Sequence, residues 1–561
     1  MDFTPATADQ VLAITVNAGI AELAQHPRFA AASPDVVEAV VAGIGDFAAG
    51  EFAPLNRIGD LEGAKLNDGV VTLPAGFAEA YQAYVAQGWN AVAGDEACGG
   101  QGLPFTLACN VLENLGAANM AFSLLPMLTV GAIEALAHHG SPEQQARYLP
   151  KLVSGEWSGT KNLTEPQAGS DVGALRTTAI PRGGNEHGGT YAIKGTKIFI
   201  TWGEHELAEN IVHLVLARTP DAPAGSRGIS LFVVPKYLAD GSRNDLKCVG
   251  LEHKLGINAS PTCVMSFGDN DACIGELVGR ENEGLKAMFT MMNSARINVG
   301  SEGVQIAERA WQAARHYAQD RVQGARGGQA VAIVEHPDVR RTLLRMRALT
   351  EASRALLYYT AGQVDRGALE IEGAQARADC LVPMLKAWGT DVGCEVASLG
   401  VQIHGGMGFI EETGAAQHYR DARIAPIYEG TNGIQAADLV TRKLGYEGGA
   451  VLDALLAEAE RDAGDPQITA LARDCRDVAG WMTGSASIDD RLAGSVPFCT
   501  MCAVAVAGWQ LQRQARAAGT AKAATAAFFA AHVASEARGL KAAALAGAGL
   551  LYALDAEELA S

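Results

Sequence analysis

The spacing of apolar and polar residues changes character three times along the chain, and each change predicts a different architecture. Up to about residue 158, apolar positions recur at intervals of three and four over 34–48, 77–86, 107–115 and 127–139, the spacing that lines one face of a helix. Ser141-Pro142-Glu143 then supplies a cap, a first-turn proline and an acidic group for the start of a further helix. From about 159 to 278 the pattern shifts to short β-rich runs. The segments 190–201, 211–218, 228–235 and 262–267 are bounded by Gly, Pro or Asn and read as strands. Helical spacing returns over 284–321, 337–364 and 375–400, long segments joined by short loops, as in a helical bundle. After Gly448-Gly449 an Ala-rich helical zone follows to the end.

These zones predict an α+β fold: a helical N-terminal domain (1–158), a middle antiparallel β-barrel domain (159–278), a C-terminal four-helix bundle (279–448) and an additional C-terminal helical domain (449–561). Strands and helices do not alternate, which disfavours a doubly wound dinucleotide-binding sheet. The stretch 492–512 holds no charged residue and is long enough to span a bilayer. Its Gly494, Ser495, Pro497, Thr500, Gln510 and Gln512 dilute its apolar density, so a buried helix is the better reading and no stable membrane insertion is expected.

Composition narrows the partners. A chain of 561 residues with 48% hydrophobic and 19% charged content has room for three or four domains with large cores. Aromatic content is only 6% beside abundant Ala and Gly, which favours closely packed helices. Lys plus Arg number 44 against 63 Asp plus Glu, a net charge of −19 that repels nucleic acid and anionic membranes; no nucleic-acid partner is expected. The opening Met1-Asp2-Phe3-Thr4-Pro5 shows no basic leader or apolar signal core, so export is not expected. The ten cysteines are scattered, in the manner of reduced thiols in a cytoplasmic protein. Cys499 and Cys502 read as two small core residues on an apolar helix, because no second pair follows at zinc spacing; no metal is expected.

Four segments could carry chemistry. Thr164, Glu165, Gly169, Ser170 and Asp171 crowd into a loop of small side chains in which backbone N–H groups could approach a polar ring or a phosphate; a capped turn would look the same. The run from Lys197 to Gly203 ends a strand with aromatics, a hydroxyl and a turn glycine, which suits either a core or the flank of a flat cofactor. Gln402-Ile-His-Gly-Gly-Met-Gly-Phe409 closes a helical run with glycines that could meet a pyrophosphate or simply end a helix. Glu429 follows the apolar run 424–427 and stands between Tyr428 and Gly430, where desolvation would raise its pKa towards that of a useful base. Spacing alone favours an exposed loop glutamate.

Taken together, in this order and on this helix–strand–helix layout, the segments resemble the acyl-CoA dehydrogenase family from about Val36 to Leu444. The matching motifs are Thr-Glu-Pro-x-Ala-Gly-Ser-Asp from Thr164, Ile-Thr-x-Gly from Ile200, Gln-x-x-Gly-Gly-x-Gly from Gln402 and Tyr-Glu-Gly-Thr from Tyr428. Asp95 to Pro104 resembles the family's Gly-rich N-terminal signature. The resemblance implies FAD as cofactor and Glu429 as catalytic base. It places Thr164 and Thr201 on the flavin ring, Phe199 against it, and Ser170 where flavin and acyl-CoA meet. Arg321 and Gln323 resemble positions that reach a neighbouring subunit's FAD. Gln402, Gly405 and Gly406 resemble the partner segment, and Thr431 a further FAD contact; Gly430 and Arg296 fall on the substrate side. Trp202 stands where many members carry Asn, and Gly433 where many carry Gln. Some relatives carry their base on the helix around Ser294-Ala295-Arg296; here that position resembles Ala295, which cannot take a proton, and this favours Glu429.

The activity so implied is α,β-dehydrogenation of an acyl-CoA to the trans-2-enoyl-CoA, with electrons passed to an electron-transfer flavoprotein. The zone from about 450 resembles the extra domain of the larger members, which include enzymes acting on 3-methylthiopropanoyl-CoA and on medium or long acyl chains. In those members it occupies the place of a second dimer, so a homodimer is expected. An acyl-CoA oxidase with the same site, or a DNA-associated alkylation-response flavoprotein, are the alternatives; the acidic charge disfavours the second.

Overall fold

The computed structural model describes residues 3–183 and 189–561, with the side chains of 289–291 left out; Met1 and Asp2 of the opening run lie outside the described residues. The chain divides into two compact units, each taken by itself below. One comprises Asp46–Leu103 and Ala118–Ala295, the other Met1–Gly45, Pro104–Ala117 and Arg296–Ser561.

In the first unit, helix α1 (Met120–His139) is apolar nearly all round because nearly all of it is buried. Leu124, Leu125, Leu128 and Leu136 are all inside, each contributing about 1.5–3 kcal/mol by leaving water. It is the one helix among the described residues long and apolar enough to cross a membrane, and its apolar surface is spent on this core. Helix α2 (Pro142–Ser154) starts where Ser141 and Gln144 form a reciprocal capping box.

Eight strands follow: β1 (Trp157–Asn162), β2 (Thr178–Gly183), β3 (Thr190–Thr201), β4 (Asn210–Ala217), β5 (Ser230–Pro235), β6 (Leu246–Leu251), β7 (Thr262–Phe267) and β8 (Ile274–Val278). They join in the order β1-β4-β5-β8-β3-β7-β6, with β2 added on β3. The pairings are antiparallel except β1 with β4, which run parallel from Trp157 opposite Asn210 to Asn162 opposite Val215. Every residue of β4 and β5 is buried, as expected of strands covered on both faces. Val212, Leu214 and Leu216 point to the helices and meet Leu136, Leu149 and Leu152. Val215 and Ala217 point the other way and pack with Ile193, Ile200, Met265 and Phe267, so the sheet curls over its own second core.

The second unit holds the long helices. Residues from Arg296 of α3 (Gly284–Asp320) belong to it, with α4 (Pro337–Ala368), α5 (Ala374–His404), α6 (Asn432–Thr441), α7 (Ala450–Asp462) and α8 (Ser495–Ala517). A hairpin of β9 (Val322–Arg326) and β10 (Gln329–Ala332) follows α3. Helix α8 contains the uncharged stretch and packs against α4 and α5 with Phe498, Met501, Val504 and Trp509 buried. Cys499 and Cys502 are buried within it, and no metal-binding group is present among the described residues. Deep between helices, Arg354 donates to Glu113 and Glu308 at 2.7 Å each, and the Tyr358 hydroxyl donates to Glu113 at 2.6 Å. Removing one member of so buried a set leaves an uncompensated charge and costs about 3–5 kcal/mol.

Candidate active site

In the first unit the loop after β1 is held by a buried ion pair. Lys197, fully buried on β3, donates to Glu165 at 2.8 Å and to the Leu163 carbonyl at 3.1 Å. The Glu165 carboxylate also accepts from the Thr177 hydroxyl at 2.6 Å and from the Arg176 backbone N–H at 2.7 Å. Burial pushes the Glu165 carboxyl up, but Lys197 and these donors outweigh it and bring it down to about 2. Burial lowers the Lys197 ammonium to about 8. Thr164, between the two clamped carbonyl and carboxylate anchors, is half-buried, and its carbonyl accepts from Ile198 N–H at 3.0 Å.

That last bond ties the loop to a bulge in β3. The register against β7 shifts between Lys197 and Ile200, and within the bulge Phe199 has φ +59°. A left-handed conformation is costly for a bulky residue, about 1–3 kcal/mol, and is sustained here by the pairing on both sides. Its effect is to aim the ring outward: Phe199 is 58% exposed between buried Lys197 and Ile200. Thr201 closes the strand with its carbonyl accepting from the Thr160 hydroxyl at 2.7 Å. Trp202 turns inward instead. It is fully buried, its indole stacks on Phe122 at 6.0 Å, and its Nε1 donates to the Ala121 carbonyl. The aromatic at this strand end that could flank a flat ligand is therefore Phe199, and Trp202 is core. Ser170 is exposed, and the following Asp171 caps Gly173.

In the second unit the Glu429 loop is built by two consecutive left-handed residues, Glu429 at φ +56° and Gly430 at φ +87°. The φ of Gly430 favours glycine, and a Cβ there would come within 2.7 Å of the Gln435 amide nitrogen, which would have to shift. Thr431 caps α6, its hydroxyl oxygen accepting from Ile434 N–H at 3.2 Å. Below the loop, Asn432 accepts from the Lys386 ammonium at 2.9 Å and donates to the Ala387 carbonyl at 3.0 Å and to Asp391 at 2.8 Å. The Tyr428 hydroxyl donates to Glu302 of α3. Glu429 itself is half-buried. Arg296 is 8% exposed, lies beside Gly430, and feels the fields of Asp438 and Glu429. Burial nevertheless lowers its pKa. Burial also pulls Lys386 down to about 8, against the attraction of Glu302, Asp391 and Glu429.

The remaining residues of interest are exposed. Arg321 donates to Gln323 at 3.3 Å at the start of the hairpin. Gln402, Gly405 and Gly406 lie at the end of α5, where His404 packs on Tyr317 of α3 at 4.5 Å. Open space surrounds the Cβ positions of Gly405 and Gly406. Within one unit the structure thus brings Thr164, Phe199 and Thr201 to one strand end, and within the other it gathers Glu429, Gly430, Thr431 and Arg296. Sequence reasoning passed over Lys386, Asn432, Glu302 and the Glu165–Lys197 clamp. A single lysine inside the apolar run 380–388 was the available signal for the first of these.

The profile for the acyl-CoA dehydrogenase N-terminal domain matches residues 38–156, the middle domain 161–270 and the C-terminal domain 282–444. A further profile, acetyl-CoA dehydrogenase C-terminal like, matches 453–555. The chain is 50% identical over 513 residues to a 3-methylmercaptopropionyl-CoA dehydrogenase of Ruegeria pomeroyi, covering 86% of each chain. It is 33% identical to the broad-specificity linear acyl-CoA dehydrogenase FadE5 of Mycobacterium tuberculosis, over 91% of this chain and 89% of that one. The solved structure of Caenorhabditis elegans ACDH-11 in complex with C11-CoA shares the fold, with a TM-score of 0.78 at 21% identity over 91% of this chain and 89% of the other. The chain belongs to the acyl-CoA dehydrogenase family and is an FAD-dependent enzyme that dehydrogenates acyl-CoA thioesters.

Proposed function

We propose that Glu429 is the base that removes the α-proton of the thioester, and that the thioester is 3-methylmercaptopropionyl-CoA or a medium- or long-chain acyl-CoA. The observation that carries the first part is the strained loop: a carboxylate at φ +56° followed by a glycine at φ +87°, above a buried network that fixes Asn432 and Tyr428. Strain of this kind persists where the surroundings over-determine it, commonly at reacting groups. The 50% identity to the Ruegeria enzyme supports the second part.

The residues fit a flavin. Phe199 offers an exposed ring fixed by a bulge, with Thr164 and Thr201 supplying polar groups beside it. Gly405 and Gly406 leave space for close backbone approach, and Arg321 and Gln323 offer exposed donors. These residues, with Ser170, Gln402 and Thr431, are proposed to hold FAD, which supplies the acceptor for the β-hydride. On the substrate side Gly430 and Ser170 are proposed as thioester contacts, and the Arg296 guanidinium and the Glu429 carboxylate attract one another. Arg321, Gln323 and the 402–406 turn are proposed to act across a homodimer in the cytoplasm, with an electron-transfer flavoprotein as acceptor. The exposure of Val322, Met407 and Phe409 beside these segments supports the dimer.

Anaerobic titration of the purified enzyme with a panel of acyl-CoA thioesters, followed by flavin absorbance, tests this reading. Fastest bleaching by 3-methylmercaptopropionyl-CoA is expected. Bleaching by no thioester would refute it, and a tetramer mass in light scattering would refute the dimer.

A further inference from the structure

Away from the residues assigned to flavin and thioester, the second unit contains a cavity of about 500 Å³ between the chain at Asn17 and Gly19 and helices α4, α7 and α8. This is within the range of small-molecule sites. Four arginines line it, in a chain whose net charge is −19. Two have carboxylate partners: Arg366 pairs with Glu22 and Arg377 with Glu458, each at 2.6 Å. The third acidic lining group, Asp462, is engaged by Arg461 at 2.9 Å. Arg513 and Arg516 are left without a carboxylate in ion-pair range among the described residues. Arg513 donates only to the Gln510 side chain at 2.9 Å, and Arg516 to the backbone carbonyls of Asp462 and Ala463 at 2.9 and 3.2 Å.

A second, independent feature points the same way. Gln363 on α4 also lines the cavity and is 7% exposed. The indole Nε1 of Trp509, another lining residue, is buried without an acceptor among the described residues. Buried polar groups in folded proteins are nearly always paired, so this donor and the two guanidinium groups without a carboxylate in ion-pair range describe one missing partner: a molecule rich in acceptor oxygens and negatively charged. A guanidinium fork is shaped for a planar or tetrahedral oxyanion, which takes two parallel N–H···O bonds.

We propose that this cavity binds a small oxyanion, a carboxylate or a phosphate, through Arg513 and Arg516 with the Trp509 indole N–H completing its hydrogen bonds. The assignment is independent of the Glu429 chemistry. Calorimetric titration of the full-length, FAD-loaded enzyme with inorganic phosphate and, separately, with succinate tests it. One site per chain is expected for at least one of the two, and which of them binds names the oxyanion. Arg513→Gln should weaken that binding by about 10-fold or more. Arg516→Gln, at an exposed position that does not threaten folding, should weaken it in the same direction while thioester-driven flavin bleaching stays unchanged. Failure of both anions to bind the unmodified enzyme, or binding to Arg516→Gln with undiminished affinity, would overturn the proposal.

Discussion

Replacing Lys386 by Met removes a fully buried ammonium that packs beneath the Glu429 loop. In the unfolded chain this group keeps its ordinary pKa of 10.5, whereas burial brings it to about 8 in the folded protein. At pH 7 both states are protonated, and folding carries the full cost of the gap, about 3–4 kcal/mol at roughly 1.4 kcal/mol per pH unit. Between pH 8 and 10.5 the unfolded state binds more protons than the folded one, so stability rises with pH across that window and the cost fades. Methionine keeps the length of the side chain and carries no charge, so the variant escapes the cost at every pH. It loses the charge-assisted bond to Asn432, worth about 1.5–3 kcal/mol. The Thr390 hydroxyl, whose shortest acceptor is the Lys386 carbonyl at 2.8 Å, lies 3.2 Å from the Asn432 oxygen and can turn to it in the variant. The variant should therefore be as stable as the parent, or about 1 kcal/mol more stable, at pH 7. By pH 10 the order should reverse, the parent having gained about 2–3 kcal/mol. Urea melts of the FAD-loaded proteins at pH 7 and pH 10, at fixed protein and FAD concentrations, measure both. Loss of the cation should also move the acid limb of the bleaching rate to higher pH, because Lys386 and Glu429 attract one another. A difference between the two proteins that is the same at both pH values would refute the reasoning.

Phe199→Gly removes a strained left-handed residue and an exposed ring together. The apoprotein should melt at an unchanged or slightly higher urea concentration while FAD affinity falls about tenfold, read by flavin fluorescence. Lys197→Met strips the buried Glu165 of its cation and should cost about 3–5 kcal/mol at pH 7. Because the Glu165 carboxyl is held down to about 2, its stabilisation is complete above pH 4.5 and fades as pH falls towards 2. The penalty of Lys197→Met should accordingly shrink in acid melts. Gly430→Ala drives a methyl group to 2.7 Å from the Gln435 amide at φ +87° and should lower the bleaching rate by at least tenfold with the fold intact by circular dichroism.

The long helices were legible because Gly284–Asp320, Pro337–Ala368 and Ala374–His404 bury an apolar stripe repeated over many turns, which composition cannot hide. Strand Thr190–Thr201 was legible for its β-branched density. Strand Trp157–Asn162 was not: Trp-Ser-Gly-Thr-Lys-Asn looks like a loop, yet five of its six residues are buried, and its polar groups are satisfied by partners distant in sequence, such as the Thr201 carbonyl on the Thr160 hydroxyl. The same cause hid Lys386 and the Glu165–Lys197 clamp, since a lysine paired in the core and a lysine in solvent are one letter. The bulge at Phe199 follows from a register shift between strands and leaves no mark in the run Lys-Ile-Phe-Ile-Thr. Glu429 was found through its motif, while its left-handed conformation is visible only in its backbone.

The central claim is that the Glu429 carboxylate takes the proton. Glu429→Gln preserves side-chain shape and the hydrogen bonds of the loop while removing the basic oxygen. Stopped-flow measurement of flavin bleaching under anaerobic conditions, with saturating thioester, should show a yellow FAD-loaded enzyme whose bleaching rate has fallen by about 10²–10⁴-fold. Bleaching by Glu429→Gln at the rate of the unmodified enzyme would contradict the account.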